Sequence, residues 1–78
     1  MLINFAYLLS NDGRTEDAIT VAKKNAELFP EAINSYLFLG NTYANSGNKE
    51  EAIKNFEKAL QIDPNNRNAN QQLKKLKQ

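Results

Sequence analysis

The sequence predicts an all-α fold of antiparallel helical hairpins stacked side by side and closed by a C-terminal capping helix. Three observations predict it. The chain matches itself at a shift of 34 residues, apolar residues in each unit recur at three- and four-residue steps, and glycine and proline punctuate the units at fixed places. The shift lays Asn11 on Asn45, Gly13 on Gly47, Glu16 on Glu50, Ala18 on Ala52, Ile19 on Ile53, Lys24 on Lys58 and Pro30 on Pro64. A repeat of that length is one supersecondary unit that buries its apolar face against the next.

The first unit, residues 1–31, opens with a helix near 1–11 whose stripe is Leu2, Phe5, Ala6 and Leu9. Gly13 ends it, because a glycine takes the left-handed conformation without a Cβ penalty. A second helix over 15–29 carries Ala18, Ile19 and Ala22, and Pro30 ends it by lacking the donor that continuation requires. The second unit, residues 32–66, repeats this with a helix over 32–46, Gly47, a helix over 49–62 and Pro64. Its stripes are Tyr36, Leu39, Gly40 and Tyr43, then Ala52, Ile53, Phe56, Ala59 and Leu60. Gly40 and Ala52 are small residues inside apolar stripes, so they are expected to face one another where the helices cross closely, flanked by Tyr43 and Phe56. Ala6 and Ala18 repeat the device. The third unit, residues 67–78, is a single helix over 67–77 that keeps Ala69, Leu73 and Leu76 as apolar contacts and is otherwise polar, as a solvating cap should be.

Composition excludes several functions. A chain of 78 residues supports one small core. Without cysteine or histidine it has no disulfide, thiolate zinc site or imidazole acid–base chemistry. Ten basic and nine acidic residues supply no long-range field for nucleic acid or acidic lipid. No apolar run is long enough to span a bilayer, and no leader pattern is present. We therefore expect no nucleic-acid or membrane partner.

No cofactor, metal or catalytic residue is expected. The hydroxyls Ser10, Ser35, Ser46, Thr15, Thr20 and Thr42 lack an activating base, and the acidic pairs Glu16 with Asp17 and Glu50 with Glu51 open second helices, where they complement the positive end of the helix dipole. The run "SNDGRTED" lacks the spaced oxygen ligands of a calcium loop. Arg67, Lys74, Lys75 and Lys77 have no stacking aromatic among them and serve to solubilise the cap.

Taken together, Tyr36, Leu39, Gly40, Tyr43, Gly47, Ala52, Phe56, Ala59 and Pro64 make the second unit resemble the tetratricopeptide repeat (TPR) family, whose helical hairpin has this period. The first unit is degenerate, with Leu2, Phe5, Ala6 and Leu9 at the early positions and Ala22 and Asn25 at the later ones, and Lys74 replaces the small residue in the cap. A narrower resemblance runs from "LLSNDGRTEDAI" through "NAELFP" and "AIKNFEKALQIDPNN" to "LKKL": these stretches look like the repeat tails at the C-terminus of some bacterial β-lactamase-like or esterase-like hydrolases. That resemblance implies an accessory tail that packs on an upstream domain or pairs two copies of it.

The TPR resemblance implies a short solenoid that binds a protein or peptide in a concave groove lined by first helices. Carried over position by position, the groove is Asn4, Tyr7, Asn34, Leu37, Phe38, Asn41, Asn45, Gln71 and Lys75, with Ile3, Ser10, Ala44, Asn68 and Gln72 beside them. Ile3, Tyr7 and Leu37 offer no cation, so a clamp for two carboxylates is not expected. Tyr7, Leu37 and Phe38 are either anchors for the partner or packing against the neighbouring repeat. The first helix, with Leu2, Ile3, Phe5, Leu8 and Leu9, carries more apolar surface than one second helix can cover. It is expected to form an N-terminal interface through Leu2, Ile3, Phe5 and Leu9 with a preceding repeat, an upstream domain or a second copy.

Overall fold

The computed structural model describes residues 3–78, so Met1 and Leu2, and with Leu2 part of the expected N-terminal interface, lie outside the described residues. Five α-helices follow one another: α1 (Ile3–Asn11), α2 (Thr15–Leu28), α3 (Ile33–Asn45), α4 (Lys49–Ile62) and α5 (Arg67–Leu76). Among the described residues there is no strand. Each helix packs on the next, and α1 also touches α3 across the top of α2. The all-α, TPR-like hairpin architecture expected from the period is therefore present.

The turns follow from the glycines. Gly13 and Gly47 adopt φ of 81° and 82°, the left-handed region. At the first, the Gly13 amide donates to the Ser10 carbonyl (3.0 Å) and the Arg14 amide to Leu9 (2.8 Å). At the second, Gly47 donates to Ala44 (3.1 Å) and Asn48 to Tyr43 (2.8 Å). These paired bonds form a Schellman motif, which satisfies carbonyls that the helix end leaves free. Pro30 and Pro64 stand just beyond α2 and α4, and the capping amides of Phe29 and Asp63 close those helices by donating to Asn25 and Ala59. The Asn66 side chain caps α5 by accepting from the Ala69 amide at 2.9 Å.

The core runs continuously through all five helices, from Ile3, Ala6 and Leu9 to Ala69 and Leu73. Alanine dominates it: Ala6, Ala18, Ala22, Ala52, Ala59 and Ala69 are fully buried. The gap at Gly40 is filled by the ring of Phe56, and a Cβ built there would lie 2.7–2.8 Å from three atoms at the ring's tip. The expectation that Gly40 serves a close approach to Ala52, with Phe56 merely flanking, is corrected accordingly. The physical reason is volume: Phe56 is the largest fully buried side chain, and on the far side it meets a backbone with no side chain to push aside.

Two hydrogen bonds fix the seam between the hairpins. Asn25, fully buried on α2, donates to the hydroxyl of Ser35, fully buried on α3. The Tyr36 hydroxyl donates to the carbonyl of Pro30 at 3.0 Å, tying α3 to the turn that precedes it. No buried side-chain polar atom among the described residues lacks a partner, as a well-formed interior requires.

Candidate interaction site

Helix α3 sorts its side chains into two faces. Tyr36, Leu39, Gly40 and Tyr43 are buried, while Asn34 and Asn45 are exposed and Leu37 and Asn41 half-buried. Positions 34, 37, 38, 41 and 45 recur at helical spacing and share one stripe. On α1, Asn4 and Tyr7 stand at the register of Phe38 and Asn41 and are exposed. Direct contact between α1 and α3 brings the two stripes together. The joint is aromatic: the rings of Tyr7 and Phe38 meet edge to face, their centroids 4.8 Å apart.

Tyr7, Phe38 and Leu37 differ in burial. Phe38 is buried and carries the packing between hairpins; Tyr7 is half-exposed above it, and Leu37 is half-buried beside it. Gln71 and Lys75 are exposed on α5, which packs on α4 as α3 packs on α2. Of the residues named here only Lys75 is charged, and the side-chain amides offer both donors and acceptors.

The N-terminal face also divides. Ile3 and Leu9 are buried in the core, so the expectation that they form an exposed interface is corrected: α1 turns them toward its neighbours. Phe5 and Leu8, like Tyr7, are left exposed on α1.

One surface was not foreseen. Lys23, Ala26, Glu27 and Pro30 from the α2 side, Tyr36 and Leu39 of α3, and Glu51, Asn55 and Lys58 of α4 line a groove of about 400 Å³ on the side of second helices. The ammonium groups of Lys23 and Lys58 stand 5.8 Å from the ring centroids of Tyr43 and Tyr36, within reach of a cation–π attraction. The Tyr43 phenol, through hydrogen bonding and then charge, raises the Lys23 pKa above its usual value. Lys24 matching Lys58 at the repeat shift was the available signal, but which lysine would sit over which ring depends on helix rotation. No group of three or more potential metal-ligating residues is found among the described residues.

Residues 33–66 match the family model for the tetratricopeptide repeat. The chain carries a tetratricopeptide repeat over these residues. It is similar to the Protein STIP1 homolog of Dictyostelium discoideum, at 46% identity over 61 residues that make up 78% of this chain and 11% of that protein. It is also similar to the Small glutamine-rich tetratricopeptide repeat-containing protein 2 of Mycosarcoma maydis, at 32% identity over 63 residues, or 81% of this chain and 18% of that protein. The chain thus spans between 11% and 18% of the length of these relatives. Neither relative lends support to the resemblance to hydrolase tails. The repeat and these relatives support a module of the protein–protein interaction type.

Proposed function

We propose that this TPR module binds an extended, uncharged peptide segment of its partner along the stripe formed by Asn4, Tyr7, Asn34, Leu37, Asn41, Asn45, Gln71 and Lys75. The observation that carries this reading is the exposed tyrosine held edge-on over buried Phe38 in the midst of asparagine side chains. An aromatic ring on a rigid support gives contact area at little entropic cost, and side-chain amides pair with both groups of a peptide main chain. With Lys75 as the stripe's only charge, an acidic ligand gains little here, which is consistent with the absence of a carboxylate clamp.

The test is selection of peptides from a random phage-displayed library on the full chain, followed by calorimetric titration. Tyr7→Ala and Asn41→Ala should each weaken the selected peptides by roughly tenfold or more, while Leu28→Ser, on the second-helix side, should leave them unchanged. Peptides that bind the Tyr7→Ala, Asn41→Ala double variant as well as the parent chain would overturn the assignment.

A further inference from the structure

The two seams of the molecule, α2 with α3 and α4 with α5, join at the same places one repeat apart. The Tyr36 hydroxyl donates to the Pro30 carbonyl at 3.0 Å, and at the repeat shift the Asn70 side-chain amide donates to the Pro64 carbonyl at 3.1 Å. The Lys23 ammonium lies over the Tyr43 ring, and at the repeat shift Glu57 pairs with Lys77 at 3.2 Å. Asn25 donates to Ser35, and at the repeat shift stand Ala59 and Ala69, fully buried like the pair they match. Position repeats while chemistry changes.

Exchanging the helices that face each seat reveals what the change does. With α5 residues on the α2 seat, Asn25 would meet Ala69 in place of a hydroxyl, and Lys23 would meet Lys77, a like charge. With α3 residues on the α4 seat, the Ser35 hydroxyl would meet Ala59, which offers its side chain no partner, and Glu57 would meet Tyr43 in place of a cation. The buried mismatch is the heavier one, because a polar group that loses a partner away from water is not repaid by solvent, whereas Glu57 and Lys77 are exposed and screened. The bond to the proline carbonyl does not discriminate, since phenol and amide both donate to it. Room for the Asn25 side chain comes from Ala22, three residues back on the same face, where the second hairpin has Phe56 three residues before Ala59.

We infer that Asn25 and Ser35 form a recognition pair that commits the α2 seat to α3, and that Ala59 and Ala69, with Glu57 and Lys77 at the rim, commit the α4 seat to α5. The hairpins therefore stack in one order. Mispairing between similar units, a characteristic failure of repeat chains, is penalised at a buried position in each seam. This assignment does not rest on the peptide stripe, so either can fail without the other.

The test moves one oxygen atom from the first seam to the second in the full chain. Ser35→Ala should lower Tm by about 5 °C or more, and Ala69→Ser by about 2 °C or more. Asn25→Ala with Ser35→Ala gives the first seam the alanine pair of the second, and this double variant should lose clearly less than the two single variants together. Asn25→Ala with Ala69→Ser should lose the full sum, because the two sites lie in different seams. Sucrose in every sample keeps the weakest variant folded and measurable. Hydrogen exchange then locates the effects, with Ser35→Ala speeding α2 and α3 and Ala69→Ser speeding α5. Additive losses at positions 25 and 35 overturn the recognition pair. An Ala69→Ser chain as stable as the parent overturns the selectivity of the α4 seat.

Discussion

At the scale of the residue, Gly40 and Phe56 act as one unit. The ring tip lies where a Cβ on Gly40 would stand, and Phe56 is fully buried, so the ring has no free space into which to swing. The first hairpin makes the opposite choice at the same register, pairing Ala6 with Ala22, both fully buried. A smaller partner leaves room for the methyl. Gly40→Ala should therefore cost about 1–3 kcal/mol by overpacking, and Phe56→Ala about 3–5 kcal/mol through the cavity it opens. The double variant should cost clearly less than the sum, because the new methyl grows into that cavity. Urea unfolding of the four proteins measures the coupling, and additive costs would show that the glycine serves something other than the ring. Sequence alone marked Gly40 as a position that needs a gap but misassigned what fills it. Periodicity places a residue on a face and leaves open which neighbour's side chain reaches that face. Asn25 and Ser35 were illegible for the same reason. One looked like a departure from a small residue and the other like one more hydroxyl, and their hydrogen bond exists only once α2 and α3 are docked.

At the scale of the element, legibility was far greater, because what starts and stops these helices is local. Each of the five helices ends within one residue of its expected C-terminal limit, and the four whose starts lie inside the described residues begin within one residue of expectation. Gly13 and Gly47 are required by backbone conformation, since a Cβ at either would meet nothing within 4 Å. Gly47→Ala should then destabilise by about 1–2 kcal/mol through the left-handed φ alone, and Gly47→Asn by less, because asparagine tolerates that region. Thermal unfolding followed by circular dichroism would rank the three. An alanine variant as stable as the parent would mean that the turn reorganises at no cost. The N-terminal caps were less legible. Asn66 caps α5 through its side chain, whereas Asn48, also an asparagine just ahead of a helix, makes no such bond at α4. There the first-turn pair Glu50 and Glu51 complements the dipole instead.

At the scale of the whole molecule, the fold is a line in which each helix leans on its immediate neighbours. Stability in such a line is a sum of unit and interface contributions, so the middle should open last and the ends first. The surface contributes little to holding it together, since the ion pairs found, including Lys77 with Glu57 at 3.2 Å between the chain end and α4, are solvent-exposed. Native-state hydrogen exchange should therefore find the strongest protection in α3 and α4, where Phe56, Tyr43 and Leu39 are buried between flanking helices. Leu73 anchors α5 to this core, and Leu73→Ala should cost about 2–3 kcal/mol. If the line is the right description, that cost will appear as faster exchange in α5 and then α4, with α1 nearly unmoved. Equal acceleration in all five helices would mean that so short a chain opens all at once, its continuous core overriding the repeat. A graded response would instead show that α1 and α2 can keep their own packing while the C-terminal end opens.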